Sequence, residues 1–253
     1  MKRIESTQNS LVKHWKKLVN TRKERDKTEE FLVEGEHLAE EALKSGGSVL
    51  ALIFREGTDL PVHWDTAGVE LIEITPDVEK EITDTEHPQG VYAQCKTPSY
   101  DESEKQAWKS VLLIDAVQDP GNVGTMIRTA DAAGIDAVFL GKGCADPFAP
   151  KTVRSAQGSH FHIPVIRGEL GGEIDRLKEA GIPVYGTALE GAVPYDEPGR
   201  SDEFALVVGN EGSGVDPGLL AKADRRLMIP IRGQAESLNV AVAAGILLYA
   251  LKE

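Results

Sequence analysis

The chain has 253 residues, enough for one large domain or two small ones with ample core in either case. Its 41% hydrophobic and 27% charged content is ordinary for a soluble globular protein, and no stretch reads as a secretory leader or a membrane span. A net charge of −13 excludes a uniformly basic nucleic-acid binder, and the two cysteines, Cys95 and Cys144, lie in different halves and form no metal-ligand spacing, which makes a reduced cytosolic protein the default.

The first 27 residues depart from that balance. Lys2, Arg3, Lys13, Lys16, Lys17, Arg22, Lys23, Arg25 and Lys27 face only Glu5, Glu24 and Asp26, a local charge of +6 that leaves −19 for the remainder. Such an arm can grip phosphates while the acidic body suppresses indiscriminate binding. Leu11, Trp15 and Leu18 at helical spacing fit a solvated amphipathic helix equally well.

Strand-like Phe31-Leu32-Val33 follows, then a helix from His37 to Lys44 stopped by Gly46-Gly47. Strands over Val49–Phe54, Val69–Ile74 and Gly90–Cys95, with a short helix from Pro76 to Thr83, make residues 28–97 a small α/β unit. Residues 98–107 are polar and read as a linker, and 108–253 as a second α/β domain. There, strands are expected at Val111–Asp115, Ala137–Leu140, Ile163–Ile166, Pro183–Gly186, Phe204–Val208 and Leu227–Ile231. Helices are expected at Val123–Ala133, Lys151–Gln157, Glu173–Ala180, around Leu219, and at Leu238–Lys252, the last as a buried helix. The alternation predicts a mostly parallel sheet with helices on both faces.

Three strand ends in this domain carry polar and Gly-rich segments, where α/β proteins bind ligands. Asp119-Pro120-Gly121-Asn122-Val123-Gly124 leads to Arg128, whose guanidinium suits a phosphate, although a capped helix with a solvated arginine explains the segment as well. Gly209-Asn210-Glu211-Gly212-Ser213-Gly214 reads as a plain turn or as backbone pressed against a ligand. Ser237-Leu238-Asn239 opens the last helix and supplies ordinary caps. Neither a dinucleotide fingerprint nor a phosphate-binding P-loop is present, which argues against a Rossmann oxidoreductase. His160-Phe161-His162 places two imidazoles on one strand face, but no third ligand can be named, so no metal is expected.

Together these segments resemble the three motifs of the SpoU/TrmH class of the SPOUT superfamily, RNA ribose 2′-O-methyltransferases that use S-adenosylmethionine. Asn122 with Arg128-Thr129-Ala130 looks like the first motif, and Gly209-Asn210-Glu211-Gly212 the second. Ile229-Pro230-Ile231 through Ser237-Leu238-Asn239-Val240 looks like the third, with Ala241 where many members carry Ser. More weakly, Phe31-Leu32-Val33-Glu34-Gly35 and Gln89-Gly90-Val91 resemble the family's small substrate-binding domain of ribosomal-protein-like fold.

The resemblance implies a trefoil-knotted C-terminal domain and a homodimer with the active site at its interface. It implies a catalytic side of Asn122, Glu211, Ser237, Asn239 and the partner subunit's Arg128. The cofactor would lie against Gly209, Asn210, Gly212, Ile229, Ile231 and Leu238, with Thr187 and Leu189 nearby. Candidate RNA contacts are Lys13, Lys16, Lys17, Arg22, Lys23, Arg25, Lys151 and Arg154. Ribosomal RNA is the expected substrate and transfer RNA the alternative, and a non-catalytic RNA-binding assembly factor is the rival class.

Overall fold

The computed structural model describes Met1 to Gly46 and Ser48 to Glu253, so Gly47 of the expected helix stop lies outside the described residues. The chain forms two compact units. The first contains Met1–Ser99 together with Asp146–His162, the second Tyr100–Ala145 and Ile163–Glu253.

In chain order the first unit begins with β1 (Lys2–Ile4), α1 (Ser10–Asn20), α2 (Arg22–Thr28), β2 (Glu30–Glu34) and α3 (Glu36–Lys44). It continues with β3 (Val49–Arg55), β4 (Glu70–Ile74), α4 (Pro76–Ile82) and β5 (Val91–Lys96). The strands form one sheet in the order β1-β4-β3-β5-β2. In it β1, β4 and β3 run parallel, and β5 is antiparallel to both neighbours. Alternation along each strand feeds two cores. Leu32, Ile53 and Tyr92 face Val12, Trp15 and Leu18 of α1, while Phe31, Val33, Leu52 and Val91 face Leu38 and Ala42 of α3.

Residues 1–27, expected as a basic arm, are therefore part of a folded layer. Asn9 caps α1 by accepting from the Leu11 N–H at 2.9 Å, and Trp15 is fully buried, donating to Gln94 at 2.7 Å. The three-residue β1 carries one apolar side chain, too short a pattern for sequence periodicity to reveal.

The second unit holds α5 (Glu102–Ala107), in the expected linker, then β6 (Ser110–Ile114), α6 (Pro120–Ala132) and β7 (Ala137–Leu140). After Ala145 the chain contributes α7 (Pro150–Ala156) and a 3-10 turn (Ser159–Phe161) to the first unit. It returns with β8 (Val165–Arg167), α8 (Leu170–Glu179), β9 (Val184–Thr187), β10 (Val193–Pro194), β11 (Phe204–Val208), α9 (Pro217–Lys222), β12 (Arg225–Met228) and α10 (Val240–Leu251). The sheet is parallel throughout, in the order β10-β12-β9-β11-β6-β7-β8. Central β6 and β11 are buried at every residue, as expected of strands covered on both faces. Succession runs outward from β6 through β7 to β8, and from β11 to β12 on the other side. The crevice at the carboxyl ends of β6 and β11 is thus the topological switch point.

Two expectations are corrected. His160 and His162 do not share a strand face: His160 lies buried in the 3-10 turn, whereas exposed His162 meets Glu41 at 2.8 Å. Helix α10 is not wholly buried, because Val242, Ile246 and Tyr249 leave an exposed stripe. Among the described residues no helix is long and apolar enough to cross a membrane, and no metal-binding group is found.

Candidate active site at the strand ends

Two loops are tied together before any catalytic side chain enters. Beyond β6, the Asp115 carboxylate accepts the Asp216 N–H at 2.7 Å, and the Ala116 carbonyl accepts the Asn210 side-chain amide at 2.9 Å. Ala116 holds φ at +53°, a costly conformation for a residue with a Cβ. The Asn210 side-chain oxygen accepts the Gly212 and Ser213 N–H groups at 2.9 and 3.1 Å, and the Asn210 and Gly214 backbones exchange two hydrogen bonds. A Cβ on Gly209 would lie 2.2 Å from the Gly214 carbonyl carbon, so only glycine permits this curl. Asp115 and Ala116 escaped the sequence reading, whose one available signal was an acidic residue closing an apolar strand.

Onto this frame the three motif segments converge. Asn122, in the first turn of α6, donates to Glu211 Oε1 at 2.9 Å. Its carbonyl oxygen accepts from the Asn239 amide, also at 2.9 Å. The Asn239 oxygen in turn caps α10, accepting the Ala241 and Val242 N–H groups at 2.9 and 3.2 Å. Asn239 is therefore both a helix cap and the partner of Asn122. The relay has one direction, from helix N–H through two amides to a carboxylate that can only accept, which fixes the orientation of each amide. Glu211 is exposed, and its second oxygen has no partner among the described residues. Ser237 lies exposed on the same loop as Asn239.

Arg128 does not join this cluster. It is exposed and unpaired among the described residues, six positions along α6 from Asn122, or about 9 Å of rise and on a different face. Thr125, Arg128 and Ala132 form an exposed row on α6, and Val242, Ile246 and Tyr249 a matching row on α10. The Tyr249 hydroxyl joins the rows by donating to the Ala132 carbonyl at 3.2 Å.

The expected cofactor residues line the remaining strand ends. Gly209 is buried at the end of β11, Thr187 is half-buried at the end of β9, and Leu189, Ile231 and Leu238 expose apolar side chains. No backbone group from Ile229 to Leu238 pairs with another backbone group among the described residues. Unspent peptide donors and acceptors beside exposed aliphatic side chains are what an adenosyl group requires, so these residues fit S-adenosylmethionine. Burial pushes the Cys95 and Cys144 thiols up, so neither is a ready nucleophile.

The basic residues of the first unit divide into two groups. Lys13, Lys17 and Lys23 are exposed and unpaired among the described residues, and Lys151 is exposed. Lys16 meets Glu81, Arg22 meets Asp26 at 3.4 Å, and Arg154 meets Asp84 at 2.7 Å. Arg25 is corrected from an RNA contact to a structural one. It is 6% exposed, pairs with Asp146 at 2.7 Å and donates to the Leu18 and Val19 carbonyls.

A model of the SpoU rRNA Methylase family matches residues 109–249, and an MRM3-like substrate binding domain matches residues 9–93. The chain belongs to the SpoU methylase family, and the expected α/β class, a parallel-sheet methyltransferase domain preceded by a small substrate-binding domain, holds for it. It is 56% identical over 252 residues, spanning all of both chains, to the Bacillus subtilis 23S rRNA (guanosine(2553)-2′-O)-methyltransferase RlmP. The AdoMet-bound rRNA methyltransferase from Sinorhizobium meliloti is 32% identical, with a TM-score of 0.86 over 98% of this chain and 96% of that one. The SpoU methyltransferase AviRb from Streptomyces viridochromogenes, in complex with AdoMet, is 29% identical with a TM-score of 0.82 over 96% and 97%.

Proposed function

We propose that this protein methylates a ribose 2′-hydroxyl of 23S ribosomal RNA, with S-adenosylmethionine as donor. The observation that carries the reading is the Asn239–Asn122–Glu211 relay, which brings three distant segments to one crevice at the switch point. When bound, the cofactor supplies an electrophilic methyl group on a sulfonium. The protein's share is to align the hydroxyl oxygen within about 3 Å of that carbon and to remove its proton. The second oxygen of Glu211, unpaired among the described residues on a carboxylate that Asn122 holds through Oε1, is an acceptor within the crevice, with the neighbouring RNA phosphate or water as alternatives. Arg128 offers a planar fork of N–H donors, so its role is to hold the phosphate and stabilise developing alkoxide.

Because Arg128 stands outside the cluster beside the exposed α10 stripe, a second copy docked there presents its arginine to the first copy's crevice. The active form is then a two-fold dimer. Family membership extends the reading to a trefoil knot around α10 and to a cytoplasmic location, where ribosomal RNA is modified. The nucleotide corresponding to the Bacillus relative's guanosine 2553 is the first candidate target. Incubation with unmodified 23S transcript and methyl-labelled cofactor, followed by nuclease digestion, tests this. Label is expected in a 2′-O-methylated nucleoside; label in a base, in transfer RNA alone, or nowhere contradicts it.

A further inference from the structure

Outside the methylation crevice, the first unit contains a pocket of about 230 Å³ lined by Glu34, Gly35, His37, Leu38, Thr85, His87, Gln89, Arg154 and Gln157. It combines β2, the start of α3 and the loop before β5 with α7, the segment lent by the methyltransferase sequence. We propose that this pocket seats one unpaired base of the RNA substrate, a base other than that of the methylated nucleotide. The inference rests on the ribose-methyltransferase reading and deepens it.

The size suits a single planar ring, being below the roughly 300–1,000 Å³ of sites for drug-sized ligands. Its walls suit one too. The imidazoles of His37 and His87 and the guanidinium of Arg154 are flat stacking faces, and Leu38 is a buried apolar floor. Gln89 is turned by the Glu36 N–H, which donates to its oxygen at 2.9 Å, and its amino group is unspent among the described residues. Gln157 uses its amino group on the Arg154 carbonyl at 2.7 Å, and its side-chain oxygen is unspent among the described residues. One free donor and one free acceptor are what a base edge demands. Gly35, at φ +105°, makes room for this arrangement, since a Cβ there would stand 2.9 Å from the Gln89 oxygen.

Charge argues for a neutral occupant over a phosphate. Arg154 is already paired with Asp84 through Nη2, while its buried Nη1 has no partner among the described residues. Glu34 spends its oxygens on Thr83, Thr85 and the Asp84 N–H. A carboxylate and a neutralised guanidinium disfavour an anion, whereas the unspent Nη1 still seeks a carbonyl or ring nitrogen.

The test uses the full chain and unmodified 23S transcript as probe. His87→Ala combined with Gln89→Leu is expected to raise Kd and KM for the transcript about tenfold, with kcat within about twofold and cofactor affinity unchanged. The salt dependence of binding should keep its slope, because stacking releases no counterions. His87→Ala alone changes only an exposed side chain and should give about a threefold loss in a chain of wild-type stability. An unaltered Kd, a shallower salt slope, or a loss confined to kcat overturns the base pocket while leaving the methyltransferase reading standing. A wild-type protein that neither binds nor methylates the transcript overturns both.

Discussion

Asn122 shows how one amide can integrate a site. It spends its nitrogen on Glu211 and its oxygen on Asn239, so truncation frees a carboxylate and an amide from two other loops at once. Basic groups that look alike in sequence differ in the fold. Arg25→Met leaves Asp146 buried without its cation, and urea melts should show a loss of about 3–5 kcal/mol. Lys17→Ala, at an exposed unpaired ammonium, should leave the melt alone and lower the salt slope of RNA binding by somewhat less than one. Arg128→Lys keeps the charge but loses the planar fork, and turnover should fall about a hundredfold with cofactor affinity intact. Near-normal turnover would show that neither the fork nor an arginine-specific step matters.

Among the elements, the loop after β11 is the most constrained. Gly209→Ala would drive a Cβ into the Gly214–Val215 backbone, which cannot yield as a side chain could. Calorimetry should then show cofactor affinity weakened about tenfold or more, with the sheet intact by circular dichroism. The crevice was legible because each of its segments follows an apolar strand and carries Gly or Asn, both local signals. Asp115 and Ala116 were not legible, because their role depends on pairing with Asn210 and Asp216 about a hundred positions away. The place of His160 is hidden for a related reason: a three-residue strand pattern cannot be told from a 3-10 turn. Among the described residues neither of its ring nitrogens has a partner of hydrogen-bond geometry, and burial pushes its pKa from 6.5 to about 4, with the nearby Pro147 carbonyl and Asp146 offsetting only part of that. The unfolded chain therefore binds the extra proton first, and this contribution to stability, full above pH 6.5, is lost as pH falls toward 4. Between pH 7 and 5 the wild type should lose about 2 kcal/mol more than His160→Phe in urea melts, and parallel curves would refute the assignment.

For the whole molecule, a mostly parallel sheet with its crevice at the strand ends was within reach of sequence, whereas the strand order and the partition of the chain were not. Residues 146–162 join the first unit through Phe148, 4.9 Å from Phe31, and through Asp146, contacts with no local periodicity to announce them. The same limit hid the exposed stripe of α10, since an all-apolar helix reads as buried until its neighbours are placed. That stripe, the row bearing Arg128 and the relay on another face are what the proposed composite site rests on. The most direct measurement mixes two inactive variants, Arg128→Ala and Glu211→Ala, under conditions that allow subunit exchange, and follows methyl transfer to 23S transcript. If each crevice takes its arginine from the neighbouring copy, half the molecules become heterodimers with one intact site, and activity should recover to about one quarter of wild type. No recovery despite demonstrated exchange would place Arg128 and Glu211 in the same copy's site and contradict the composite crevice.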